Sequence, residues 1–129
     1  MKVSIGSDHG GFELKGALLK ALAGACETTD RGPADNAGCD YPDAAVAVAK
    51  DVALGAADFG ILICRTGIGM SMAANRFQNV RAALCATKED ATITRQHNGA
   101  NVLCLGADRV SFFTFSACIS IIRLPRLAT

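Results

Sequence analysis

Six consecutive residues, FGILIC at Phe59–Cys64, are apolar throughout. A strand with one wet face alternates polar and apolar side chains, whereas one that is apolar throughout is buried on both faces. That burial calls for neighbouring strands on both sides and helices above and below. The rest of the chain supplies both. Residues 2–6, 26–29, 80–85 and 102–105 read as four more strands, the second of them exposed. Residues 12–23 carry Phe12, Leu14, Leu18, Leu19 and Leu22 at close to helical spacing, with Gly24 as a stop. Pro42 suits a first helical turn, continued over 43–54 and stopped by Gly55. Gly67 and Gly69 open a third helix reaching about Arg76, and 88–96 form a fourth. Residues 30–41 read as a loop, and 112–122 close the chain.

Strands alternating with helices imply a parallel sheet covered on both faces, with right-handed crossovers. The fold class expected is α/β: a three-layer α/β/α sandwich around a five-stranded parallel sheet, Rossmann-like and doubly wound. The strand order should begin 2-1-3. All 129 residues fit one domain, 1–129. In such sheets ligands bind at the carboxyl ends of the strands, where the winding reverses. The loops meeting there are Ser7-Asp8-His9-Gly10-Gly11 and Cys64-Arg65-Thr66-Gly67-Ile68-Gly69.

Composition narrows the partners. Thirteen basic residues face twelve acidic ones, for a net charge of +1. That balance lacks the basic footprint of a nucleic-acid binder. No apolar run reaches the roughly 18 residues of a membrane span, and MKVSIGSDHGG lacks the long apolar segment expected of a secretory signal. Six cysteines without a CxxC pair fit free thiols in a reducing cytoplasm. His9 and His97 stand far apart, so no zinc or iron site is expected.

The two loops carry the candidate chemistry. Gly67 and Gly69 allow a tight bend whose backbone N–H groups meet a phosphate or enediolate oxygen, or the segment is only a turn. Cys64 stands beside the start of the next helix, where a thiol's pKa falls and the thiolate serves as base or nucleophile. The alternative is a buried structural thiol, the reading given to Cys85 and Cys104. Either His9 exchanges a proton with a ligand and Asp8 orients a hydroxyl or an imidazole, or the two form a polar turn with Asp8 as a helix cap. Arg95-Gln96-His97-Asn98 precedes the fifth strand and so belongs at the opposite, amino end of the sheet. A catalytic His97 would have to serve a neighbouring subunit. From spacing alone, a solvated helix C-terminus is the preferred reading.

The segments GSDHGGFELK (6–15), DYPD (40–43), FGILICRTGIGMSMAANR (59–76), VRAALC (80–85) and TRQHNGANVLCLG (94–106) together resemble the ribose/allose/galactose phosphate isomerase family, and within it the type B ribose-5-phosphate isomerases. The resemblance implies interconversion of ribose 5-phosphate and ribulose 5-phosphate through an enediolate, with no metal or organic cofactor. It implies Cys64 as the base between C1 and C2 and His97 as the ring-opening acid. Asp8, His9, Tyr41 and Asn98 match sugar contacts, and Thr66, Gly67, Ile68 and Gly69 match the enediolate loop. It also implies a homodimer or homotetramer with active sites shared between subunits. A six-carbon sugar phosphate, such as allose 6-phosphate, and a non-catalytic sugar-phosphate-binding subunit are the alternatives.

Three departures stand out. Arg65 replaces the family's usual Gly, and either adds an anion contact or obstructs the sugar. Arg109 is the nearest match to a phosphate-binding Arg, but two residues separate it from Gly106 where the family has one. The family's arginine-bearing C-terminal segment is missing, and residues 111–129 are atypical; Arg123 and Arg126 do not map onto its arginines. The tail's apolar run is expected to pack on the sheet or across a subunit interface.

Overall fold

The computed structural model describes residues 1–34, 41–111 and 120. Five strands form one sheet: β1 (Lys2–Ser7), β2 (Glu27–Asp30), β3 (Phe59–Cys64), β4 (Ala82–Leu84) and β5 (Val102–Gly106). Their order is β2-β1-β3-β5-β4, and every pairing is parallel. Four helices connect them: α1 (Phe12–Leu22), α2 (Tyr41–Ala53), α3 (Ile68–Ala74) and α4 (Lys88–Asn98). The order opens 2-1-3 as expected.

Side-chain alternation along β3 builds the two faces of the sheet. Phe59, Ile61 and Ile63 join Val3, Ile5, Leu103 and Leu105 in a core that includes Leu18 and Leu22 of α1 and Ala91 of α4. Leu62 and Cys64 point the other way, into a core with Val48 and Val52 of α2 and Met70 and Ala74 of α3. All six residues of β3 are buried. The helices therefore divide two and two, giving the three layers. The first crossover from β1 lies on the α1 face and the crossover from β3 on the α3 face. The winding reverses between these two adjacent strands.

Several boundaries differ from the sequence reading. Cys26 lies outside β2 and makes only an isolated bridge with Ala23. β2 is an edge strand with mostly exposed residues, so tertiary burial does little to fix its start. β4 keeps only three residues of the expected six, because Asn101 takes over the amino side. Its Oδ1 accepts from the Arg81 N–H at 2.8 Å, and its own N–H donates to the Arg81 carbonyl. α3 ends at Ala74, after which the N–H groups of Arg76 and Phe77 turn back onto the carbonyls of Ala73 and Ala74. α4 runs two residues further than expected, to Asn98, where Gly99 adopts φ 65° and caps it. The expected closing segment 112–122 apart from Ser120, the middle of the 30–41 loop, Cys39, Cys118, Arg123 and Arg126 lie outside the described residues.

Two buried polar groups tie the β2 edge to the layers. Lys15 of α1 is 2% exposed; its Nζ donates to Asp30 Oδ1 at 2.8 Å and to the Pro33 carbonyl. Asp51 of α2 accepts from the Ser4 hydroxyl and from Arg31 Nε and Nη2, each at 2.7 Å. The Arg31 hydrogen bond holds the Asp51 carboxyl below its usual range, with burial opposing and Ser4 assisting.

Candidate active site

β1 and β3 end side by side, and their backbones join the loops that follow. The Asp8 N–H donates to the Ile63 carbonyl at 3.2 Å. Across β3, the Ala107 N–H donates to the Cys64 carbonyl at 2.8 Å and the Asp108 N–H to the Arg65 carbonyl at 2.9 Å. Three loops, after β1, β3 and β5, thus form one rim. Gly106 makes this closeness possible: a Cβ there would stand 2.6 Å from the Thr66 carbonyl carbon and oxygen.

Cys64, the last residue of β3, is 5% exposed and points to the α2–α3 face. Its sulfur accepts the Gly67 N–H at 3.0 Å. Gly67 reaches this position with φ 80°, a left-handed conformation that favours glycine. A side chain there would also meet Leu84 and the backbone between Leu105 and Gly106. The Ile68 N–H bonds to Thr66 Oγ1 at 3.3 Å. The Gly69 and Met70 N–H groups fall in the first turn of α3, where an α-helix offers no internal acceptor. Gly69 also borders an opening of about 790 Å³ between α2 and α3, together with Pro42, Val46, Met72, Ala73 and Phe77. Cys85 and Cys104 are buried thiols, as the sequence indicated. Burial, then the nearness of Cys64 and Cys85, pushes the Cys104 thiol up, so it stays protonated at neutral pH.

Asp8 is a cap: its Oδ1 accepts from the Gly11 N–H at 3.1 Å and starts a short 3-10 turn, His9–Gly11. His9 is exposed on that turn. The Arg65 stem lies against Gly10, where a Cβ would stand 2.6 Å from Arg65 Cγ. Its guanidinium approaches Asp108 at 3.6 Å, and both side chains are more than half exposed. Arg65 therefore leans to the α1 face, opposite the side to which Cys64 points. Arg109 is exposed on the turn after β5, on the same rim. Tyr41 begins α2, and its side chain lies outside the described residues.

The structure brings together Asp8, His9, Cys64, Arg65, Thr66, Gly67, Ile68, Gly69 and Arg109 around the carboxyl ends of the strands. It does not bring His97 and Asn98 there. Both are exposed at the C-terminus of α4, on the short path into the amino end of β5. No group of three His, Cys, Asp or Glu side chains suited to a metal gathers among the described residues. Two features escaped the sequence reading. Gly10 seats the Arg65 stem, and Arg95 is 6% exposed with its guanidinium 5.0 Å from the Phe59 ring. Both contacts join residues remote in sequence, so no local pattern announces them.

Among the described residues no helix is long and apolar enough to cross a membrane. A Ribose/Galactose Isomerase family model matches residues 3–121. Ribose-5-phosphate isomerase B of Escherichia coli is 44% identical over 107 residues, covering 82% of this chain and 72% of that protein. The solved ribose-5-phosphate isomerase B of Clostridium thermocellum superposes with a TM-score of 0.95 at 39% identity, covering 98% of this chain and 86% of the other. The Mycoplasma genitalium enzyme, solved with bound ribulose-5-phosphate, gives a TM-score of 0.91 at 37% identity, covering 98% and 85%. With the parallel five-stranded sheet and the rim of loops around Cys64, these matches mean that the chain belongs to the ribose/galactose isomerase family, as a sugar-phosphate isomerase of the ribose-5-phosphate isomerase B type.

Proposed function

We propose that the chain interconverts ribose 5-phosphate and ribulose 5-phosphate through an enediolate, with Cys64 as the base and His97 of a second copy as the ring-opening acid. The observation that carries this reading is the Gly67 N–H held 3.0 Å from the Cys64 sulfur at the end of β3. That contact fixes where the sulfur points, and a backbone N–H supports negative charge on it. The bound ribulose-5-phosphate of the Mycoplasma genitalium relative supports the choice of sugar.

Abstraction of the C2 proton of the open-chain aldose leaves negative charge spread onto the carbonyl oxygen. Donors already in place around that oxygen lower the barrier. The Gly69 and Met70 N–H groups serve as those donors in this reading, with Thr66 bracing the turn through Ile68. Cys64, as thiolate, takes the proton from C2 and returns it to C1, while the proton of the C2 hydroxyl passes to O1, so that the carbonyl moves from C1 to C2. Burial of the sulfur keeps water from competing for that proton. His97, with Asn98 beside it, acts from a second copy, because the fold carries it to the other end of its own sheet. The assembly is a homodimer or homotetramer. Asp8, through the carboxylate oxygen that does not cap Gly11, and His9 and Tyr41 hold the sugar hydroxyls. Arg65 and Arg109 supply positive charge for the phosphate. Cys26, Cys64 and Cys104 are free thiols, which supports a cytoplasmic setting.

A coupled assay offered ribose 5-phosphate and allose 6-phosphate in parallel tests the substrate. The expected result is a higher kcat/KM for the pentose. Preference for the hexose, or binding of both without turnover, overturns the assignment.

A further inference from the structure

His97 and Asn98 are exposed, yet the backbone around them is tied down by two arginine side chains as well as by the helix cap. Gly99 turns left-handed at φ 65°, and its N–H and that of Ala100 both bond to the Thr94 carbonyl. The Ala100 carbonyl accepts from Arg95 Nη1 at 2.7 Å. Arg95 is itself buried, with its guanidinium 5.0 Å from the centre of the Phe59 ring at the start of β3. The Asn98 carbonyl accepts from Arg81 Nε at 2.6 Å. Arg81 is fixed in turn by Asn101, whose Nδ2 donates to the Asn79 carbonyl at 2.8 Å.

A left-handed glycine closes many solvated helix ends, but such an end needs neither arginine. Its last carbonyls are satisfied by water, and its final turn frays at little cost. Burying a guanidinium to satisfy one carbonyl is costly unless its remaining donors and its flat face are also used. Here the face lies over Phe59, so the C-terminus of α4 is braced against the central strand as well as against the edge. A general acid delivered from one chain to another's substrate requires that brace, since an offset of about 1 Å costs up to about 100-fold in rate.

The geometry points to Arg95 and Arg81 as positioning residues that hold the end of α4 rigid, so that His97 and Asn98 meet the sugar of a second copy at fixed geometry; this role rests on His97 serving as the acid, as proposed above. Neither arginine touches the substrate. Arg95 acts from inside the fold and Arg81 from its exposed edge.

Steady-state kinetics with ribose 5-phosphate on Arg81→Met and Arg95→Lys, each in the parent and in the His97→Ala background, tests the role. The expected result is a fall in kcat of about 10-fold to 100-fold with KM little changed in the parent background. In the His97→Ala background the same substitutions should lower the residual kcat no further, since there is no acid left to misplace. Amide exchange of Gly99 and Ala100 reads the brace without turnover and should quicken in both variants. Equal loss of kcat in the two backgrounds, or unchanged amide exchange, overturns the positioning role. Full activity of His97→Ala would instead remove the acid role itself. An impaired His97→Ala beside arginine variants of parental kcat would remove the brace alone.

Discussion

At the residue scale Cys64 and Cys104 differ in what surrounds the sulfur. They lie on adjacent strands, point to the same face and are both buried. Only Cys64 stands at the end of its strand, beside a turn that aims an N–H at its sulfur. Cys64→Ala should cost about 100-fold to 10,000-fold in kcat, in the range of a lost general base, while ribose 5-phosphate still binds by calorimetry. Turnover within a few-fold of the parent would remove Cys64 from the mechanism. Arg65 carries a second prediction at this scale. Its stem rests on Gly10 and its head meets Asp108 only at 3.6 Å, a loose exposed pair of small energetic worth. The guanidinium is therefore available to a phosphate. Arg65→Gly should raise KM for ribose 5-phosphate by about 10-fold with kcat nearly unchanged, the loss of one charge-assisted contact. An unchanged or lower KM would mean that Arg65 crowds the sugar rather than holding its phosphate.

At the element scale, the β2 edge depends on ion pairs where the central strands depend on apolar burial. The Asp51 carboxyl on α2 gathers Ser4 from β1 and Arg31 from just beyond β2. Its pKa is lowered in the folded chain, chiefly by the Arg31 hydrogen bond. A carboxyl depressed on folding stabilises the fold above its unfolded pKa and loses that contribution as pH falls through the folded value. Asp51→Asn should therefore destabilise the protein by about 1–2 kcal/mol at neutral pH. The gap in Tm between parent and variant should begin to narrow near pH 4, the unfolded carboxyl's range, and close only as pH falls through the lower folded value, where the parent carboxyl is protonated as well. A gap that stays constant to acid pH would show that packing, not charge, holds the edge.

The same division explains what the sequence made legible. β3 and β5 were readable because full burial leaves an unbroken apolar run, and their partners follow from the alternation of strand and helix. The start of β2 was misread at Cys26, since an exposed edge strand carries no such signal. β4 was read too long because Val80 and Cys85 are buried and apolar, while Asn101 binds the segment before Ala82 by side-chain hydrogen bonds. The glycine turn after Cys64 was legible as a bend. The direction of Arg65 was not, because it depends on Gly10 and Asp108, which only the fold brings near. Arg95 was hidden for the same reason: its partner Phe59 lies on another element.

At the scale of the whole molecule, the topology separates the residues proposed as base and acid. Cys64 closes β3 at the carboxyl edge of the sheet. His97 ends α4, on the short path into the amino edge of β5. A single chain so folded does not assemble both at one sugar. Sedimentation at micromolar concentration should therefore find dimers or tetramers. A fully active monomer would exclude a shared site.

Mixing two inactive variants tests that separation most directly. Cys64→Ala and His97→Ala chains, unfolded together and refolded, should form mixed dimers in which one of the two sites has both residues intact. Random pairing then returns about a quarter of the parental activity from two preparations that have almost none. Absence of any recovery, with mixed dimers present by mass spectrometry, would contradict the division of base and acid between two chains.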